Sequence, residues 1–230
     1  MNNELFNIIN VMNIKSYNLC ISGTIGAGKS TIIKILKDNI KNIVSFPEFI
    51  EFHKMTSIDL LEMKLNKQID SITHQSYILD VWRYFIKNYY NSSNFNLFER
   101  CIDDSVDIFC RLDRDLRKIM TSEEFDLLSS KRHNINNEYD FISIEKSPLT
   151  IIDNDHKSID EIIHEILKTV IDDQKKSINN RMIYIKISGE ESYNRLQHRY
   201  DVDKLYSKDE LKEYVKYYDE MFNKKSCDII

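Results

Sequence analysis

The chain has 230 residues, 42% of them hydrophobic and 30% charged, with a formal net charge of −5. That length suits one domain (1–230) around one sizeable core, and the acidic balance excludes a nonspecific grip on a nucleic-acid backbone, which needs clustered positive charge. No window approaches the roughly 18 apolar residues of a membrane helix, so no nucleic-acid or membrane partner is expected and the location is read as cytoplasmic.

The N-terminus, Met1-Asn2-Asn3-Glu4-Leu5, lacks the basic start and apolar stretch of a secretory signal. Residues 17–22 (YNLCIS) predict a short buried strand, residues 23–29 a loop, and residues 30–40 a helix, since Ile32, Ile33, Leu36 and Ile40 fall at helical spacing. Residues 41–46 predict a second strand leading into Pro47-Glu48. Helices are expected over 57–65 and 71–90, the latter with Gln75, Ile78, Leu79, Trp82 and Phe85 on one face. Residues 94–98 predict a third strand ending at Glu99-Arg100, and 102–119 a charged helix. Residues 129–140 are polar and read as a loop. Residues 149–153 predict a strand, and 158–172 an amphipathic helix with Ser158 as N-cap and Glu161 three residues on. A strand over 181–187 and helices over 190–199 and 207–223 complete the chain. Cys20, Cys101, Cys110 and Cys227 show no C-x-x-C spacing, which argues for free thiols rather than a zinc site or redox motif.

Alternating strands and helices imply an α/β fold with a mainly parallel, five-stranded sheet, in which ligands gather at the carboxyl ends of the strands. The loop Gly23-Thr24-Ile25-Gly26-Ala27-Gly28-Lys29-Ser30 lies between a strand and a helix and holds three of the chain's four glycines. Glycines let backbone N–H groups turn inward around phosphate oxygens, and the helix start adds its positive dipole end. Lys29 supplies a charge to the β- and γ-phosphates, and Ser30 offers a hydroxyl to Mg²⁺. The base-reading Asn-Lys-x-Asp of a GTPase is missing, because Asn66-Lys67-Gln68-Ile69 lacks its final Asp.

Five stretches resemble the deoxynucleoside kinase family. They are the phosphate loop through Thr31; Pro47-Glu48-Phe49-Ile50-Glu51; Leu60-Leu61-Glu62 with His74-Gln75-Ser76-Tyr77; Phe98-Glu99-Arg100-Cys101 through Phe109; and Ile183-Tyr184-Ile185-Lys186 with Tyr193-Asn194-Arg195-Leu196 and Arg199. The resemblance implies an ATP- and Mg²⁺-dependent transfer to the 5′-hydroxyl of a deoxynucleoside by a homodimer joined through parts of 57–90 and 102–119. It implies Glu48 as general base, Arg100 beside it with Lys29 on the phosphates, and Ser30 and Glu99 on Mg²⁺. Gln75 would read the base and Phe109 would stack on it. Trp82, seven residues from Gln75, would narrow the pocket. Arg195 and Arg199 would belong to a lid over about 195–206.

The family's last strand, with its acidic loop and closing helix, follows the lid. Here the segment that looks like that unit, 149–172, precedes the strand at 181–187. The last two strand–helix units are therefore expected in exchanged order, which a parallel sheet tolerates if each crossover stays right-handed. Two other functions compete: a nucleoside monophosphate kinase of the thymidylate kinase type, which needs a further arginine cluster that Arg111, Arg114 and Arg117 resemble although they run along a helix beyond Phe109, and a nucleotide-binding protein without turnover.

Overall fold

The structure, a computed structural model, describes residues 2–46, 60, 62–64, 66–139, 147–197 and 206–222, and the backbone of 227–229. Strand β1 (Tyr17–Gly23) is buried along its whole length. That is the position of a central parallel strand, covered on both faces. On one side it pairs with β3 (Phe95–Glu99), from Tyr17↔Phe95 to Ile21↔Glu99. On the other it pairs with β5 (Asn180–Lys186), from Asn18↔Asn180 to Gly23↔Ile185. β2 (Ile43–Phe46) lies outside β3, β4 (Leu149–Asp153) outside β5, and a short β6 (Cys227–Ile229) outside β4.

Every pairing is parallel and the order is β2-β3-β1-β5-β4-β6. All five expected strands are present, and β6 extends them by one. The strand met fifth in the chain lies inside the one met fourth. This is the exchanged order expected from the sequence.

Side chains of β1 alternate between the two faces. Leu19 and Ile21 enter one core with Ile183 and Ile185 of β5, packed under α1 (Asn2–Met12), α2 (Lys29–Asn39) and α6 (Ile159–Lys175). Cys20 enters the other with Phe98, Met182 and Tyr184. That core lies under α3 (Ser71–Tyr89), α5 (Ser122–Tyr139) and α8 (Lys208–Phe222). Helix α3 starts where Asp70 accepts the Thr73 amide at 2.8 Å. Helix α6 starts at the expected capping box of Ser158 and Glu161. Helix α7 (Gly189–Gln197) follows β5. No helix among the described residues is long and apolar enough to cross a membrane.

Three expectations change. α1 was not read from the sequence: it mixes Leu5, Phe6, Ile8, Ile9, Val11 and Met12 around the helix and buries only Phe6 and Ile9, so no clean apolar stripe marks it. Residues 129–140, expected as a loop, lie almost entirely in α5, which is polar because it buries only Leu128 and Ile135. The single helix expected over 102–119 is instead a π-helical stretch, Asp104–Cys110, followed by a short α4 (Arg111–Asp115). Of the helix expected over 57–65, residues 60 and 62–64 are helical and the rest lies outside the described residues.

Candidate active site

The phosphate loop leaves the end of β1 and closes into α2. Its glycines are required by the surroundings as well as by a ligand. A Cβ on Gly23 would lie 2.5 Å from the Ile185 carbonyl oxygen, and one on Gly26, at φ +82°, would lie 3.2 Å from that of Ser192. Both positions therefore reject a side chain. Gly28 is also left-handed, at φ 86°, where the chain enters α2. Lys29 is buried, and its ammonium donates to the Thr24 carbonyl at 2.9 Å. The rest of the loop is held from β4 and α7. Asn154 Nδ2 donates to the Ala27 carbonyl at 3.0 Å, and Ser192 Oγ to that of Ile25 at 2.6 Å. Neither was singled out from the sequence; Asn154 could have been, since it directly follows a strand.

Glu99 and Arg100 end β3, one strand away from the loop, and both are buried. Two such charges at the end of an apolar strand must be partnered. Ser30 Oγ donates to Glu99 Oε1 at 2.8 Å. Arg100 Nη1 donates to the Gly23 carbonyl and to the Tyr218 hydroxyl, both at 2.7 Å. Its guanidinium carbon lies 5.1 Å from the centre of the Phe109 ring. To make this reach, Arg100 takes a left-handed backbone, φ 68°. That conformation is costly for a bulky residue and concentrates at functional sites. Behind it, fully buried Asp104 accepts from Ser22 Oγ at 2.7 Å and from the Cys101 amide at 3.1 Å. Burial pushes its carboxyl up to about 6, with the Arg100 charge and the Ser22 hydroxyl opposing.

Ser30 and Glu99 are hard oxygen donors already in contact, which suits Mg²⁺. Among the described residues no group of three or more His, Cys, Asp or Glu could hold a metal by itself. A magnesium ion normally takes one or two carboxylates and completes its shell with phosphate oxygens and water. The residues present fit that pattern.

Gln75 and Trp82 are buried on α3. Trp82 packs 6.4 Å from Phe98, centre to centre. Gln75 Nε2 lies 3.5 Å from Asp113 Oδ2, and its Oε1 has no partner among the described residues. Asp113, four residues beyond Phe109, also accepts from Lys64, from Ser71 Oγ at 2.5 Å and from Arg117 Nη1 at 3.3 Å. Burial pushes the Asp113 carboxyl up, but Lys64, Ser71 and Arg117 outweigh it and hold it below the usual carboxylate range. Burial pulls the Lys64 ammonium down, with Asp113 opposing. Burial, with Lys64 beside it, also lowers His74 to about 3, so the imidazole is neutral. Lys64 and Asp113 were not foreseen: they stand 49 positions apart, and nothing local in the sequence joins them.

Arg195 lies on α7 and spans two loops. Nη1 is 3.5 Å from the Gly26 carbonyl and Nη2 3.2 Å from that of Asn154, while Nε pairs with Glu191 at 2.7 Å. Glu48 and Arg199 lie outside the described residues, as do 198–205 of the expected lid. The last described residue of β2, Phe46, pairs with Phe98 and stacks on it at 4.6 Å. Arg111 pairs with Asp115 and Glu220, Arg114 with Asp115, and Arg117 with Asp113 and Glu210.

Residues 19–154 match the family model described as Deoxynucleoside kinase. No curated protein matches the chain in sequence. Among solved structures it is similar to deoxyadenosine kinase from M. mycoides with the products dCMP and a flexible dCDP bound, at 17% identity, covering 93% of this chain and 87% of that one, TM-score 0.58. It is likewise similar to that enzyme with bound dCTP (18%, 93% and 89%, TM-score 0.58) and with bound dATP (18%, 93% and 90%, TM-score 0.53). At these identities the likeness establishes the fold.

Proposed function

The chain belongs to the deoxynucleoside kinase family, and from that premise we propose that it transfers the γ-phosphoryl group of ATP to the 5′-hydroxyl of a deoxynucleoside. The observation that carries this reading is the wiring of β3 to the phosphate loop: Ser30 to Glu99, and Arg100 to the Gly23 carbonyl. It joins the donor side of the site to the strand end beside which the acceptor side would form. Phosphoryl transfer asks mainly for alignment and neutralised charge, and Mg²⁺ would supply part of that neutralisation when bound at Ser30 and Glu99. The loop amides and Lys29 hold the phosphates; Arg195 reaches the same loop from α7. Glu48, two residues past Phe46, is the general base that takes the hydroxyl proton. Arg100 is the cation that keeps such a base ionised. Gln75 pairs with the base and Phe109 stacks on it. The deoxynucleotides in the similar M. mycoides structures support this ligand class.

The monophosphate-kinase alternative needs arginines available for a second phosphate. Arg111, Arg114 and Arg117 are each engaged by carboxylates, which speaks for the nucleoside as acceptor. A homodimer through α3 and its neighbours belongs to the same proposal and is measurable by sedimentation. The test is turnover with ATP and Mg²⁺ across the four natural deoxynucleosides and their monophosphates, beside Glu48→Gln. Transfer to nucleosides but not monophosphates, lost in the variant while ATP binding stays, is the expected result. Transfer to monophosphates alone, or unchanged turnover in Glu48→Gln, defeats it.

A further inference from the structure

The side-chain amide of Gln75 is held in one of its two orientations. It is 1% exposed, so bulk solvent does not reach it. Its Nε2 faces Asp113 Oδ2 at 3.5 Å. The reversed amide would set Oε1 against an ionised carboxylate, two acceptors with no proton between them. Asp113 stays ionised because Lys64 and Ser71 donate to the same oxygen and Arg117 to the other. Locking Nε2 in this way leaves Oε1 on the opposite side of the amide, buried and without a partner among the described residues. Asp113, which Gln75 contacts, follows Phe109 by four residues along one helical run, so carboxylate and ring share a side of that run. A buried acceptor without a protein partner calls for a donor on a ligand.

We propose that Asp113 is a positioning residue that fixes Gln75 with its carbonyl oxygen toward the base, so that the site prefers bases with an amino group at the pairing edge, adenine or cytosine, over the keto bases thymine and guanine. The inference rests on the nucleoside kinase reading and names its substrate class. An exocyclic amino group donates to Oε1, while the second Nε2 hydrogen reaches the adjacent ring nitrogen, an acceptor in adenine and cytosine. Thymine and guanine present a carbonyl where the amino group would be and an N–H beside it, so both contacts become mismatched. In a flexible amide a flip would repair this; the Asp113 lock forbids the flip, so discrimination comes from repulsion as well as attraction.

The test compares kcat/KM for the four deoxynucleosides, with ATP saturating, in the full chain, in Asp113→Asn and in Asp113→Glu. The unaltered protein is expected to favour deoxyadenosine or deoxycytidine over thymidine and deoxyguanosine by roughly ten- to hundredfold, the discrimination typical of one bidentate pair. In Asp113→Asn the preference should collapse toward unity through the nucleoside KM, with the ATP KM unchanged, because an asparagine amide can donate to a flipped Gln75. Asp113→Glu, which keeps the carboxylate, should restore it. Should Asp113→Asn not fold, Ser71→Ala, which removes one donor and leaves the carboxylate, must retain the preference. Equal use of thymidine by the unaltered protein overturns the inference and leaves the kinase reading standing. No turnover of any nucleoside overturns both. A preference that survives Asp113→Asn makes Asp113 structural only and also overturns it.

Discussion

Asp173 and Asp113 are both deeply buried carboxylates, and they are treated differently. Asp173, at the end of α6, receives Arg181 on both oxygens and the Tyr17 hydroxyl at 2.7 Å, while Arg181 also reaches Thr150 at 3.3 Å. Burial, with Asp173 beside it, pushes the Tyr17 phenol well above its usual range, so it remains a donor. Every group in this cluster finds a partner, and it ties α6, β4 and β5 to the start of β1. Asp113 has more donors, from Lys64, Ser71, Gln75 and Arg117, yet its surroundings are left incomplete: Gln75 Oε1 and Arg117 Nη2 have no partner among the described residues. Closed polar clusters fix a fold; buried clusters with unused capacity are where a ligand finishes the hydrogen bonding.

That contrast can be broken experimentally. The largest effect is expected from Asp173→Ala, which strands a buried arginine and should cost about 3–5 kcal/mol of stability. Urea unfolding measures it, and the molecules that remain folded should keep their turnover per molecule. Lys29→Met should show the reverse, lowering kcat/KM by about 10²–10³, the effect of removing one preorganised partner of the transition state, with the urea midpoint nearly unchanged. A stability loss as large as that of Asp173→Ala would erase the distinction between the two regions.

Acid provides a finer test. His74 is lowered to about 3 in the folded chain, against 6.5 ordinarily. Protons therefore favour the unfolded state, and the stability this group contributes is full above pH 6.5 and declines as pH falls toward 3. Between pH 6.5 and 5 the loss is about 2 kcal/mol, and His74→Gln should flatten that limb of the urea-derived profile. Asp104 has the opposite sign. Its folded pKa is raised from 3.8 to about 6, so its contribution is full below 3.8 and is lost as pH rises through 6. Comparing the variant with the parent isolates His74. The smallest effect belongs to neither cluster. Ser158→Ala removes the cap of α6 and should cost about 1 kcal/mol, visible in the thermal midpoint with kinetics unaltered.

The parts of this molecule that were legible in the sequence are those whose chemistry is local. A phosphate loop needs glycines at fixed offsets between a strand and a helix, and that is how it is written. The order of β4 and β5 was legible because each strand carries its own following helix and loop, so the units could be recognised out of sequence. What was not legible depends on distant residues. The π-helical stretch after Arg100 has no composition of its own; it sets Asp104 under Ser22 and Arg100 over Phe109. The partners of Asp113 come from α3, from Lys64 before it and from Arg117 just beyond α4, and no single window contains them. Helix α5 escaped notice because a helix that buries two residues has almost no stripe to read. Of the candidate site, Gln75, Phe109, Glu99 and Arg100 were named from the sequence, whereas the contact between Gln75 and Asp113 emerged only from the packing.

The exchanged order also sets a timetable for synthesis. β1 is made early, but one of its edges is closed only by β5, and Asn18 waits for Asn180, 162 positions later. β4 and α6 emerge in between, yet among the described residues β4 pairs only with β5 and β6, strands made after it. A chain that folds as it is made must therefore carry an open edge on its central strand, and such edges recruit other chains. Ribosome-stalled chains with residues only up to 179 clear of the exit tunnel are expected to be cut readily by protease within β1, and those with residue 197 clear of it to resist. Equal resistance in both would show that β1 is protected before its neighbour arrives.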